Sequence, residues 1–189
     1  MRKVAVVGAT GYSGGELCAL LARHPRVEIA SAFSSGKKEA GVPFGRLHPA
    51  LHGRPGPDAE PFSVDRLAAS GAELAFLATP NETSAEAGPA LLSRGVRVID
   101  IAGAFRLRDA AAYPAWYGFT HPAPELLAEA VYGLTEWCGR ELAGARLVAN
   151  PGCYPTSVLL ALKPVASLLD PALPVICDSK SGVTGAGKK

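Results

Sequence analysis

Cys153 stands in the run Val148-Ala149-Asn150-Pro151-Gly152-Cys153-Tyr154-Pro155-Thr156. An apolar, strand-like segment breaks at Pro151-Gly152. An apolar helical segment, Ser157-Val158-Leu159-Leu160-Ala161-Leu162, follows. Pro155 falls in the first helical turn, which tolerates proline because its N–H would have no intrahelical partner. The thiol is therefore expected at or just before a helix N-terminus, where the positive end of the dipole favours thiolate over thiol. A thiolate is a strong nucleophile, so the segment reads as one suited to covalent catalysis. The competing reading is a core cysteine acting as a small hydrophobe.

A second constellation lies at the other end of the chain. Lys3-Val4-Ala5-Val6-Val7-Gly8 reads as a short buried strand. The turn Gly8-Ala9-Thr10-Gly11-Tyr12-Ser13-Gly14 comes next, and then a helical pattern through Arg23. Strand, glycine turn and helix in that order form the context of a dinucleotide site. Gly8 permits the tight turn, Gly11 lets backbone approach a pyrophosphate, and Gly14 allows close helix packing. Thr10, Tyr12 and Ser13 complete the candidate cofactor loop, with the helix N-terminus offering N–H donors. The spacing is G-x-x-G-x-x-G, and a glycine turn of an ordinary α/β protein is the alternative.

The next strand, 27–33, leads to Ser34-Ser35-Gly36-Lys37-Lys38. An Asp or Glu here would hold a ribose 2′-OH. Hydroxyls at Ser34 and Ser35 beside two lysines suit a 2′-phosphate instead, although Lys37 and Lys38 also fit a solvated basic loop. Thr79-Pro80-Asn81 directly follows another strand, placing Pro80 as a cofactor neighbour or as a simple helix-entry turn. Arg106, between Phe105 and Leu107, suits bidentate clamping of a carboxylate or phosphate, or a surface salt bridge. The stretch 102–125 shows little periodicity and reads as one long irregular loop. Near the end, Val175-Ile176-Cys177-Asp178 reads as a strand entering a second glycine-rich loop. Ser181 and Gly182 of that loop are candidate phosphate neighbours.

These groups need elements to hold them. Strand-like segments recur at 3–8, 27–33, 72–78, 96–101 and 146–149, and helix-like segments at 14–23, 63–70, 82–94 and about 155–169. The alternation predicts an α/β, Rossmann-type, mainly parallel sheet with helices on both faces. Residues 1–149 would form the nucleotide-binding domain, and 150–189 would carry the nucleophile segment and begin a second α/β domain for substrate and dimerisation. The chain has 189 residues, 48% of them hydrophobic, enough for one sizeable core. A net charge of +2 with no basic block gives no support to nucleic-acid binding. No apolar run reaches membrane-spanning length, and no signal-peptide core is visible. The four cysteines form no CxxC and read as reduced thiols of a cytoplasmic protein, with Cys18 and Cys177 in the core. The four histidines lack metal-ligand spacing, so no metal is expected.

Taken together, the motifs resemble those of the N-acetyl-γ-glutamyl-phosphate reductases and, more distantly, the aspartate-semialdehyde dehydrogenases. The resemblance runs through Gly8–Gly14, Asp100-Ile101-Ala102-Gly103-Ala104-Phe105-Arg106-Leu107, Trp116-Tyr117-Gly118 with His121, and Ala130-Val131-Tyr132-Gly133-Leu134. It continues through Asn150–Thr156 and Ser181–Gly187. It implies NADPH-dependent reduction of an acyl phosphate in arginine biosynthesis, with Cys153 forming a thioacyl intermediate. Arg106 and Asn150 would bind and orient the small-molecule substrate, in a homo-oligomer, dimer or tetramer, when full length. The family often has serine where Ala102 stands. Its catalytic histidine lies beyond residue 189, so the chain reads as the N-terminal part of such an enzyme and is expected to be poorly active alone. The alternatives are an aminoadipyl-phosphate reductase of lysine biosynthesis and a non-catalytic NADP-binding module.

Overall fold

The computed structural model describes residues 1–34 and 41–187; Ser35, Lys37 and Lys38 lie outside them. Seven strands build one sheet: β1 (Arg2–Val7), β2 (Val27–Ser34), β3 (Ala59–Pro61), β4 (Leu74–Leu77), β5 (Arg97–Asp100), β6 (Val131–Tyr132) and β7 (Leu147–Ala149). Their spatial order is β3-β2-β1-β4-β5-β7-β6. Every strand-to-strand pairing among the described residues is parallel, and an isolated antiparallel bridge joins Val42 to Ala59. Among the described residues seven α-helices connect or flank them: α1 (Tyr12–Leu21), α2 (Val64–Ala69), α3 (Asn81–Leu92), α4 (Tyr113–Tyr117), α5 (Leu126–Glu129), α6 (Thr135–Gly144) and α7 (Cys153–Leu162). The chain moves outward from β1 to β2 and β3, then returns to place β4 on the other side of β1. That reversal opens a crevice at the carboxyl ends of β1 and β4.

The period-two alternation of β1 explains both faces. Val4 and Val6 enter one core cluster with Cys18, Ala19, Phe44 and Leu51, under α1 and the short turns near residues 44–51. Ala5 and Val7 enter the other, with Leu67, Leu77, Leu91, Phe105, Tyr113 and Leu147, under α2, α3 and α4. Burying an aliphatic side chain of this size contributes roughly 1.5–3 kcal/mol. A strand buried on both sides therefore reads as an unbroken apolar run.

The five expected strands between residues 3 and 149 and all four expected helical segments are present, with shifted ends. Strands β3 and β6 and helices α4, α5 and α6 add to them. The stretch 102–125 is not one irregular loop: it contains a 3₁₀ turn at Ala110–Ala112 and α4. Buried Tyr113 anchors it, stacked on Tyr117 with ring centroids 5.3 Å apart. The helix expected from about 155 to 169 starts at Cys153 and passes into 3₁₀ geometry over Lys163–Leu168.

The expected strand at Val175–Asp178 is absent, and residues 174–182 have no regular structure. A strand needs a hydrogen-bonding neighbour, and among the described residues no strand pairs with this segment. Cys177 is consequently exposed rather than in the core, next to Ile176 at 92% exposure. Helix α7 likewise buries no residue.

Gly14 is one of the positions where the fold has no room for a side chain. A Cβ there would lie 2.1 Å from the Gly8 carbonyl oxygen, backbone that cannot step aside. Gly139, in α6, has nothing within 4 Å of its would-be Cβ. Gly14→Ala is expected to cost about 3 kcal/mol through overpacking. Gly139→Ala should add about 0.5–1 kcal/mol through helix propensity and a less flexible unfolded chain. Urea denaturation of the two variants checks the contrast; equal effects would contradict the close approach at the turn.

Candidate active site

The crevice between β1 and β4 is shaped by Gly8. Its φ is +85°, and a Cβ would meet the Ala78 carbonyl oxygen at 2.1 Å, so only glycine fits. The Gly8 and Ala9 amides both donate to the Phe33 carbonyl at 2.8 Å, tying the turn to the end of β2. Gly11 caps α1 in extended geometry, with no side-chain hydrogen bond to the helix. The amides of Tyr12, Ser13 and Gly14 thus open the helix without intrahelical acceptors, the arrangement that receives a phosphate. Beside them is a cleft of about 380 Å³ whose lining includes Thr10, Gly11, Tyr12, His48 and Thr184.

Thr184 belongs to the 3₁₀ turn Val183–Ala186, so the closing glycine-rich loop reaches the first glycine turn. Ser181 and Gly182 lie just before it, with the Ser181 hydroxyl donating to the Gly182 carbonyl at 3.1 Å. Pro80 caps α3 on the β4 side of the crevice. Ser34 is fully buried at the end of β2, its Oγ 3.5 Å from the Glu60 carbonyl oxygen, so the hydroxyl faces β3 in this conformation. A larger cavity, about 660 Å³, lies along the flank of β2 and β3 and is lined by Ser31, Asp58, Glu60 and Arg66. Its lining includes no residue of the Gly8–Gly14 turn.

Cys153 is the first residue of α7 and is exposed. Gly152 caps the helix, and its carbonyl accepts from both the Thr156 amide at 2.9 Å and the Thr156 hydroxyl at 2.8 Å. Just before it, the Asn150 amide donates to the Asp100 carbonyl at 2.8 Å, so β7 stays paired with β5 up to the loop that leads to Cys153. Asn150 Nδ2 donates to the Pro151 carbonyl at 3.1 Å.

Arg106 joins two of these loops. Its Nε donates to the Asn150 carbonyl and its Nη2 to the Ile101 carbonyl, both at 2.8 Å. Its Nη1 lies 3.1 Å from where a Gly152 Cβ would stand. The guanidinium is therefore a clamp on the Asn150–Cys153 run, not a partner in a surface salt bridge. Two of its five N–H groups are used on carbonyls.

Asp100 is the residue that sequence reasoning left out of the site. It is fully buried at the end of β5. One carboxylate oxygen accepts from the Ala102 amide at 3.1 Å and the other from the Ala104 amide at 3.0 Å. Ser84 also hydrogen-bonds it, and burial pushes its pKa from 3.8 up to about 6 against these bonds and the nearby Arg106 charge. A carboxylate closing a strand directly after Val98-Ile99, three residues before a glycine, was the available signal. Asn81 was likewise legible only as part of a turn: its Oδ1 accepts from the Gly103 amide at 2.8 Å.

His121 is unsuited to proton transfer here. The Ala123 amide donates to Nδ1 at 3.1 Å, which leaves Nε2 to donate to the Ala104 carbonyl at 2.9 Å. Buried between Phe105 and Tyr113, the ring is held neutral, and burial lowers its pKa. Cys18 is a core thiol, pushed up to about 12 by burial. Among the described residues no three His, Cys, Asp or Glu side chains gather as a metal site, and no helix is long and apolar enough to cross a membrane.

An all-parallel sheet with a glycine turn at its switch point and an exposed cysteine at a helix start on the same edge defines a dinucleotide-binding unit joined to a cysteine-bearing segment. The chain belongs to the semialdehyde dehydrogenase family: it matches the family's NAD binding domain over residues 3–145 and its dimerisation domain over residues 153–189. It is 47% identical over 99% of its length to an N-acetyl-gamma-glutamyl-phosphate reductase of Neisseria meningitidis, covering 53% of that protein. It is 49% identical over its whole length to one from Halorhodospira halophila, covering 54%. The chain thus spans about half the length of the curated relatives it matches. Among solved structures, aspartate semialdehyde dehydrogenase II of Vibrio cholerae superposes with a TM-score of 0.61 at 20% identity, over 88% of this chain and 43% of that one. The Candida albicans aspartate semialdehyde dehydrogenase, solved with NADP, gives 0.54 at 14% identity, over 89% and 47%. These two share the fold.

Burial of Asp100 has a consequence for stability. Because the folded pKa lies above the unfolded one, the folded chain holds the proton more tightly. The group's contribution is then complete below about pH 4 and is lost as pH rises through about 6. A rise from 3.8 to about 6 corresponds to about 3 kcal/mol. The stability of the parent relative to Asp100→Asn should therefore fall by about that amount between pH 4 and pH 7. Denaturant titrations at several pH values measure it; a difference independent of pH would contradict a raised Asp100.

Proposed function

We propose that this protein is an NADPH-dependent reductase of N-acetyl-γ-glutamyl phosphate, acting through a thioester on Cys153. The observation that carries the reading is the exposed Cys153 at the start of α7, on the same sheet edge as the glycine turn. The near-50% identity to reductases of that name supports the choice of substrate.

The glycine cradle fits a dinucleotide. Gly8 and Gly14 clear the backbone, and the amides of Tyr12, Ser13 and Gly14 would hold the pyrophosphate. Pro80 and the Ser181-Gly182 loop would border it. Cys153 Sγ, as thiolate, attacks the acyl carbon. A C–S bond forms, the C–O bond to phosphate breaks, and inorganic phosphate leaves with the electron pair. NADPH, when bound, supplies the hydride that brings the thioester carbonyl to the aldehyde level. The C–S bond then breaks and the thiolate returns to Cys153 as the semialdehyde departs. Asn150 and the remaining N–H groups of Arg106 would orient the substrate's oxygens near this thiol. Neither step has a proton donor in His121, whose ring nitrogens are both bonded.

Cys153→Ser in the full-length protein is expected to lower turnover roughly 10³-fold or more, because an alcohol without a strong base does not replace a thiolate. Nucleotide binding should persist. Steady-state rates in both directions and a fluorescence titration read the two quantities; turnover within tenfold of the parent would remove Cys153 from the mechanism.

Cofactor choice follows from the sequence at the end of β2, where Ser34 and Ser35 stand and no Asp or Glu occurs before Glu39 to hold a ribose 2′-OH. A charge-assisted contact to a 2′-phosphate is worth about 1.5–3 kcal/mol, so NADPH should bind at least about tenfold more tightly than NADH. Equal affinities in parallel titrations would show that the 2′-phosphate is not recognised.

A further inference from the structure

We propose that Asn81 and Asp100 are positioning residues that hold the nucleophile loop in register through the segment 101–106. The proposal rests on the reading of Cys153 as the nucleophile. Three consecutive amides of the segment are fixed by these two side chains: Ala102 and Ala104 by the Asp100 carboxylate, and Gly103 by Asn81 Oδ1. With its backbone so held, the segment presents Arg106, whose fork binds the Ile101 carbonyl within the segment and the Asn150 carbonyl across to the nucleophile loop. The same Asp100 supplies its own carbonyl to the Asn150 amide. Asn150 is thus gripped at both its N–H and its C=O, three residues before Cys153.

Asn81 brings a second connection. It is the first residue of α3, directly after Pro80 on the β4 side of the nucleotide crevice. In the same turn, Thr79 Oγ1 lies 2.8 Å from Ser84 Oγ, and Ser84 bonds Asp100. The wall of the nucleotide crevice and the support of the nucleophile are therefore one hydrogen-bonded unit. Neither Asn81 nor Asp100 reaches the reacting atoms; they act through Arg106 and Asn150.

The test compares Asn81→Ala, Asn81→Asp and Cys153→Ser in the full-length protein. Asn81→Ala removes the acceptor for Gly103, whereas Asn81→Asp retains one and suits a first helical turn. Loosening a reacting group by about 1 Å costs up to about 10²-fold, so Asn81→Ala should lower kcat by roughly 10–100-fold. KM for NADPH should stay within about threefold, and Asn81→Asp should recover most of the lost kcat. The rate of iodoacetamide labelling, followed by peptide mass, should change at Cys153 and stay the same at Cys177. A merely structural Asn81 would lower Tm while leaving kcat and Cys153 labelling at parental values, and that result would overturn the proposal. If Cys153→Ser is inactive and Asn81→Ala turns over normally, the positioning role alone falls. If Cys153→Ser remains active, the nucleophile reading fails and the positioning role fails with it. Asp100→Asn, if it folds, should repeat the Asn81→Ala pattern.

Discussion

Parallel pairing of all seven strands is the constraint on which everything else rests. Because the strands point the same way, each one delivers its exit loop to a single edge of the sheet. The glycine turn after β1, Ser34 at the end of β2, Thr79–Asn81 after β4, the 101–106 segment after β5 and the Asn150–Cys153 run after β7 meet there without being neighbours in sequence. An antiparallel strand among the central five would have sent one of these loops to the opposite edge. Burial enforces the arrangement: Val4 and Val6 on one face of β1, with Ala5 and Val7 on the other, leave that strand no face to expose.

At that edge the fold spends polar interactions that an apolar core does not require. A fully buried carboxylate is costly unless its oxygens are satisfied. Asp100 has two amides and a serine hydroxyl, with the Arg106 charge close by. Among the described residues no buried side-chain nitrogen or oxygen lacks a hydrogen-bond partner. His121 fits the same pattern. Its two bonds fix the turn from 104 to 123 inside an aromatic cluster, and that fixation leaves it no proton to exchange.

Sequence reading located those parts of the fold that announce themselves by periodicity or by glycine. The apolar runs of β1 and β4 and the Gly8–Gly14 turn are local signals, and Cys153 after Pro151-Gly152 is another. Strands β3 and β6 are three and two residues long, too short for a period to register. Helix α4 is held by the ring of Tyr113, which packs against Tyr117, Phe119 and His121, a tertiary cause with no local pattern. The Val175–Asp178 run has the composition of a strand, and composition cannot supply the neighbour a strand must pair with. Asp100 and Asn81 escaped notice for a related reason: their importance lies in which amides they face, and those amides are defined only after β4 and β5 have come together.

The pairing of β7 with β5 makes the thiol's placement a matter of strand register. Leu147 and Ala149 point into the core and Val148 is only half-buried. Sliding β7 by one residue would carry Cys153 about 3.3 Å along the strand direction and turn the two inward side chains outward. The fit of Leu147 and Ala149 in the core therefore guards the location of a sulfur atom they never touch. Substitutions that alter side-chain size at those two positions would act on chemistry as a shift in distance, even where the sheet itself remains intact.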